Sequence, residues 1–119
     1  MPQNTRDQIS LRNKIILESM KEAANIPLKT LQYCCAIMNL SKEVAQFGNP
    51  NSITDAGVAA EMANAAAHGA ALNVKINLNE IDDIQYCMNM LKQTDLLLKE
   101  MNKMLSAVRK IVLEKLHSD

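Results

Sequence analysis

Tryptophan is absent from this chain, and Tyr33, Phe47 and Tyr86 are its whole aromatic complement. That excludes a base-stacking platform for single-stranded nucleic acid, which needs several exposed rings, and an aromatic shelf for sugars. A surplus of charge is missing too. Thirteen basic and thirteen acidic residues cancel, no basic block stands out, and nucleic-acid binding through phosphate neutralisation is not expected. Cysteine is sparse: Cys34, Cys35 and Cys87 are an odd number without framework spacing. The N-terminus MPQNTRDQIS has no apolar signal core, so a reducing, cytoplasmic setting is the expectation. Two histidines and three scattered cysteines give no metal-ligand spacing. No glycine-rich phosphate loop, nucleophile elbow or dinucleotide fingerprint is present either, so no metal site is expected. Long apolar runs are also lacking. The one alanine-rich stretch carries Glu61, Asn64 and His68, which rules it out as a membrane span.

What remains is material for helices. At 119 residues the chain is one domain's worth, and its apolar mass is Ala, Leu, Ile and eight Met, mostly good helix formers. No strand alternation occurs. Residues 5 to about 24 read as a first helix, with Ile9, Ile16 and Ala23 at sevens and Ile15 and Met20 widening the stripe. Asn25-Ile26-Pro27 interrupts the pattern, and Pro27 suits the first turn of a second helix running to Phe47. That helix takes its apolar face from Leu31, Cys34, Met38 and Ala45, joined by Cys35 and Ile37. A last, long helix spans about Ile81 to His117. Ile84, Leu91, Leu98, Leu105 and Val112 recur there at sevens, with Cys87, Met101 and Val108 three later and Met90, Leu97, Met104 and Ile111 flanking them. Its stripe outruns the other helices, so part of it should meet another chain. The expected fold is one all-α domain, an antiparallel bundle of about four helices with a long C-terminal helix.

The third helix is unusual. GNPNSITDAGVAAEMANAAAHGAALNVKINL, Gly48 to Leu78, opens on turn residues and then runs for turns with almost no bulk. Gly48 fits a left-handed position after a helix, and Pro50 prevents that helix continuing. Ser52 reads as an N-cap with Asp55 three residues on, where an acid reaches back to the cap N–H. At 100° per residue, Ala56, Ala60, Ala63, Ala67, Val74 and Leu78 form a plain packing face. A second small-residue face holds Val58, Ala59, Met62, Ala66, Gly69 and Ile76, with Asp55, Asn73 and Asn77 set into it. Glu61, Asn64, His68 and Lys75 fall on the wet side. The width of the apolar sector implies neighbours on more than one side. Asp55, Asn73 and Asn77 face apolar surroundings and need partners or a ligand. Asp55 and Asn73 lie about 27 Å apart along the axis, so one ligand does not reach both on a single helix. A symmetric dimer would bring them together.

These residues resemble a family. The Gly48–Leu78 segment resembles the long signature segment of the cyclodeaminase/cyclohydrolase family: the C-terminal domain of formiminotransferase-cyclodeaminase and the stand-alone bacterial methenyltetrahydrofolate cyclohydrolases. EAANIPLKT is similar to the family's lead-in to its middle helix, and MPQNT through Lys21 to the charged helix before it. The resemblance is loosest in the last helix. It covers the C-terminal part of a family domain. The family's Gly-rich, Ala-rich upstream helices have no counterpart here, and Met1 falls at an internal family position, so an incomplete enzyme is expected.

The resemblance implies one-carbon chemistry on a tetrahydrofolate derivative, bound as substrate, with no prosthetic group. The cyclodeaminase reaction closes 5-formimino-tetrahydrofolate to the 5,10-methenyl form and expels ammonia. The cyclohydrolase reaction interconverts the methenyl and 10-formyl forms. Asp55 is then the candidate general acid/base beside a cationic amidine-like carbon, against a purely capping role. Asn49, Asn51, Asn73 and Asn77 are candidates to orient substrate amides. Association through helices implies a homodimer or larger assembly. The competing expectation is a catalytically silent self-association module, driven by apolar faces that the upstream helices would cover.

Overall fold

The computed structural model of the chain describes the backbone of residues 2–118 and the side chains of residues 5–118; Met1, the expected internal start, lies outside them. Three helices make up almost all of it: α1 (Pro2–Phe47), α2 (Pro50–Leu78) and α3 (Ile84–Leu116). Among the described residues there is no strand, and no helix is long and apolar enough to cross a membrane. The all-α expectation holds; the number of helices does not. The break expected at Asn25-Ile26-Pro27 is absent, and Pro27 is buried inside a continuous α1. Proline in a helix interior costs about 3 kcal/mol or more. Here the flanking turns are held by burial of Ala24, Leu28 and Leu31, and Lys21 is tied to the start of α3.

α2 runs back along α1, and α3 returns parallel to α1. Contacts at both ends fix this arrangement. Lys21 Nζ meets Asp83 Oδ2 at 2.7 Å at one end, and Lys115 Nζ meets the Ala45 and Gln46 carbonyls at the other. The molecule measures 82 × 20 × 17 Å, because α1 runs on past its partners. Residues 5–16 are exposed throughout, Ile9, Ile15 and Ile16 of the expected stripe among them, whereas Met20 of that stripe packs against the core.

The core draws its bulk from α1 and α3. Leu31, Met38, Met101 and Val108 are fully buried, whereas α2 supplies mostly Ala60, Ala63, Ala67 and Val74. The expected α3 stripe is buried at Met90, Met101, Met104, Leu105 and Val108, but it fails at its start: Ile84 and Leu91 are exposed, and Thr94, outside the stripe, is buried. Thr94 suits that inner line because its hydroxyl donates to the Met90 carbonyl at 2.8 Å, which gives this buried oxygen a partner.

The α1–α2 junction is only Gly48 and Asn49. Gly48 does not take the left-handed conformation expected of it. Glycine is required for space: a Cβ there would run into the Val44 carbonyl oxygen. α1 has no cation in its own last turn, and Lys115 of α3 supplies one, donating to Ala45 O at 2.6 Å and Gln46 O at 2.5 Å. These bonds satisfy carbonyls that a helix end leaves without partners. Lys115→Met keeps the stem and removes the donors. It is expected to lower unfolding free energy by about 1–2 kcal/mol in urea titration; no change would show that water satisfies these carbonyls equally well.

The opposite end closes on a second polar latch. Asp83 caps α3 by accepting from the Tyr86 amide at 3.1 Å, Tyr86 Oη donates to the Lys21 carbonyl at 3.0 Å, and the Lys21 ammonium lies 4.8 Å from the Tyr86 ring centroid. The hydrogen bond from Lys21, then that from the Tyr86 amide, holds the Asp83 carboxyl below the usual carboxylate range. The folded state therefore binds this proton less readily than the unfolded chain. The latch is fully present above the ordinary aspartate value of about 4 and is lost as pH falls through the lower folded value. A Tm–pH profile from pH 7 to 2 is expected to flatten on its acid side in Asp83→Asn; an unaltered profile would remove the latch from acid stability.

Candidate functional site at the α1–α2 groove

The start of α2 decides what Asp55 is free to do. Asn49, not Ser52, is the N-cap. Its Oδ1 accepts from the Ser52 amide at 3.1 Å and the Ser52 hydroxyl at 3.0 Å, and Pro50 occupies the first turn. Asp55 thus falls in the second turn, beyond reach of the cap, and the capping role weighed for it is overturned. Its carboxylate is exposed, and the side chain has no hydrogen-bond or ion-pair partner among the described residues.

Asp55 borders a groove of about 380 Å³ between α1 and α2. Ile37, Leu40 and Val44 of α1 form one wall, and Ser52, Ala56 and Ala59 of α2 line the other. Ser41 lies at its floor and donates its hydroxyl to the Ile37 carbonyl at 2.9 Å. The Ser52 hydroxyl is likewise committed to Asn49. Among the described residues Asp55 is left as the groove's uncommitted carboxylate, at the edge of apolar walls.

The proposed site residues do not converge within one chain. Asn49, Asn51 and Asp55 sit at the start of α2, and all are exposed. Asn73 and Asn77 lie at its far end, where Asn77 Nδ2 donates to the Asn73 carbonyl at 2.9 Å. His68 and Lys75 are exposed, as their helical positions imply, but Asn64 is half-buried and its Oδ1 is enclosed without a partner. Of the two apolar faces expected on α2, only the Ala56–Leu78 face is covered. Val58, Met62 and Ile76 on the other are 58%, 67% and 63% exposed.

The groove wall on α1 was not identified from the sequence. Ile37, expected on the buried face, is 47% exposed. The signal was present in the spacing: Tyr33, Ile37, Leu40, Val44 and Phe47 recur at alternating intervals of four and three on the side away from Leu31, Cys34, Met38 and Ala45. On the other side of α2, Arg109 grips Glu61 through both carboxylate oxygens, Nε to Oε2 at 2.8 Å. Hydrogen bonding from that guanidinium lowers the Glu61 pKa, which commits Glu61 to joining α2 and α3.

Residues 1–96 match the model of the formiminotransferase-cyclodeaminase family. The chain belongs to that family. It is 38% identical over 100 residues to a methenyltetrahydrofolate cyclohydrolase of Methylorubrum extorquens, covering 84% of this chain and 48% of that protein. It is 31% identical over 83 residues to the formimidoyltransferase-cyclodeaminase of Rattus norvegicus, covering 70% of this chain and 15% of that one. Its fold is similar to the crystal structure of a formiminotetrahydrofolate cyclodeaminase from Thermotoga maritima, with a TM-score of 0.79 and 27% identity over 84% of this chain and 50% of that chain. The chain thus spans about half the length of the cyclohydrolase and cyclodeaminase relatives it matches, and a small part of the bifunctional ones. Family membership and a helical fold are what these likenesses carry.

Proposed function

We propose that the chain forms part of a formimidoyltetrahydrofolate cyclodeaminase or methenyltetrahydrofolate cyclohydrolase, acting as a homo-oligomer on a tetrahydrofolate derivative held as substrate. One observation carries the reading beyond family likeness: an unpartnered carboxylate, Asp55, at the edge of an apolar groove. In the cyclohydrolase direction water adds to the amidinium carbon of the methenyl group, a proton leaves that water, and the carbon–N5 bond breaks with protonation of N5. In the cyclodeaminase direction N10 attacks the formimino carbon and the exocyclic nitrogen leaves as ammonia. Both pass through a tetrahedral carbon between nitrogens, and both need a proton taken from one heteroatom and given to another. A carboxylate within reach does this and also stabilises the cationic partner. Asn49 and Asn51 stand beside Asp55 with side-chain amides suited to the pterin's polar edge. Asn73 and Asn77 serve only where another chain brings them near.

The direct test follows the absorbance of 5,10-methenyl-tetrahydrofolate with purified protein, and its appearance from 5-formimino-tetrahydrofolate with release of ammonia. Turnover of either substrate above the buffer rate is the expected result. Absence of both rates would remove the enzyme reading for this chain and leave the alternative, a silent self-association module, which the open α2 face favours.

A further inference from the structure

We propose that the seam between α1 and α3 carries an anion site, in which Lys42, Lys99 and Lys103 hold the oligophosphate chain of a small ligand. The inference goes beyond the folate reading and does not rest on it.

Asn39 and Lys42 of α1 line one wall of a groove of about 520 Å³ at this seam, and Lys99, Glu100 and Lys103 of α3 line the other. The buried Met104 lies at its floor. That volume falls within the roughly 300–1,000 Å³ of small-molecule sites. At helical spacing, positions 39 and 42 stand on the opposite side of α1 from Ile37, Leu40 and Val44. The site is therefore separate from the Asp55 groove.

Cations at the other helix seams are committed to the fold. Lys21 pairs with Asp83, Arg109 pairs with Glu61, and Lys115 donates to the end of α1. Lys42, Lys99 and Lys103 have no hydrogen-bond or ion-pair partner among the described residues. Glu100 is the one carboxylate lining the groove, so three ammoniums face a single negative charge, in a chain whose charges cancel overall. Lys42 is half-buried, and withdrawing a charge from water is unfavourable unless it is paired. Lys99 and Lys103 lie four residues apart, about 6 Å along one face of α3, where like charges destabilise a helix. No bond among the described residues offsets that repulsion. A bound polyanion does.

The donors select the kind of anion. No arginine lines the groove, and the arginine fork is what grips a planar carboxylate through two parallel bonds. An ammonium is a compact charge with three rotatable donors, which suits the tetrahedrally arranged oxygens of phosphate. Three ammoniums match a short chain bearing three or more negative charges, and the Asn39 amide adds a neutral donor. Inorganic tripolyphosphate and the nucleoside triphosphates share that chain. A nucleotide would also lay its base over Met104.

Isothermal titration calorimetry of the full chain with sodium tripolyphosphate at low ionic strength is expected to show one site per chain, with a dissociation constant in the micromolar range. Affinity is expected to fall as salt is added, because counter-ions screen the ammoniums. Lys42→Gln and Lys103→Gln are each expected to weaken binding by about tenfold or more, the loss of a hydrogen bond to a charged group, with unchanged helical circular dichroism. Glu100→Gln is expected to strengthen it. Lys75→Gln removes an exposed cation of α2 outside the groove and is expected to leave the affinity unchanged. ATP separates the two sources: binding no tighter than tripolyphosphate assigns the site to the phosphate chain alone, and clearly tighter binding assigns it to a nucleotide. No binding heat at millimolar concentrations of either ligand, affinity indifferent to both groove lysines, or an equal loss in Lys75→Gln would overturn the proposal. Citrate bound as tightly as tripolyphosphate would overturn the assignment to phosphate. None of these readouts involves turnover, so an inactive chain that binds tripolyphosphate would sink the folate reading and keep this site.

Discussion

Asp55→Asn is expected to reduce turnover of methenyl-tetrahydrofolate by about 10²-fold or more, the loss typical of removing a positioned general acid/base. The substitution keeps the shape of the side chain and removes both its charge and its ability to take a proton. Because Asp55 is exposed and unpartnered, the folded state has little to lose. A melting temperature within a degree or two of wild type is expected, surface changes of this kind staying within about 0.5 kcal/mol. The pattern across kinetic constants carries the information. If Asp55 acts on the proton, kcat and kcat/KM fall together, whereas a carboxylate that only attracts the cationic substrate would raise KM and leave kcat alone. Asn49→Ala provides a contrast at the same end of α2. Its Oδ1 caps the helix, so it is expected to cost about 1 kcal/mol of stability, whatever it does to rate. An Asp55→Asn enzyme with wild-type kcat would take Asp55 out of the mechanism.

How far the site was readable follows from the kind of signal each residue carries. Asp55 stood out because an acid among alanines is conspicuous, and the family likeness supplied a reaction for it. Whether it belongs to the α2 cap was not readable, because that depended on which of Asn49 and Ser52 caps α2. Both residue types cap equally well, and Pro50 in the first turn settles it for Asn49. The groove wall was misread for a different reason. α1 carries two apolar stripes, and periodicity identifies stripes without saying which one faces the core. Leu31, Cys34, Met38 and Ala45 won; Ile37 belongs to the other. Pro27 misled through local propensity, where burial on both sides overrides a local cost. On α3 the line of sevens beginning at Ile84 follows apolar residues alone, and it fails at Ile84 and Leu91, which are exposed. The chain buried Thr94 in preference to Leu91 because position on the helix, with the hydroxyl bonded back to Met90, counts for more than side-chain polarity. The Lys115 cap and the Lys21–Asp83–Tyr86 latch were not legible at all, since they join residues more than sixty positions apart and leave no local pattern.

Leu31→Ala is expected to destabilise the fold by about 4 kcal/mol, near the upper end for a buried leucine. Leu31 is fully buried, as are Met38 of α1 and Met101 and Val108 of α3. The third side of the core is the alanine face of α2, with Ala60, Ala63 and Ala67 at 5% exposure or less. Lost volume is normally recovered in part when neighbouring side chains swing into the space, and that recovery is why the same truncation varies so widely in cost. Alanine has no rotamer to change, so α2 can close the gap only by moving as a whole, and its Glu61–Arg109 pair and its two-residue junction to α1 resist that movement. Most of the cavity therefore persists. A loss near 4 kcal/mol is a large part of the 5–15 kcal/mol that folded domains possess, and Leu31→Ala is expected to be partly unfolded at 37 °C. Met38→Leu, which keeps the volume, is expected to cost less than about 1.5 kcal/mol. Urea titrations at one fixed protein concentration measure both, the concentration being held because assembly itself adds stability. A Leu31→Ala loss below about 2 kcal/mol would show that α2 does shift inward, and that the close α1–α2 spacing is set by something other than the alanine face.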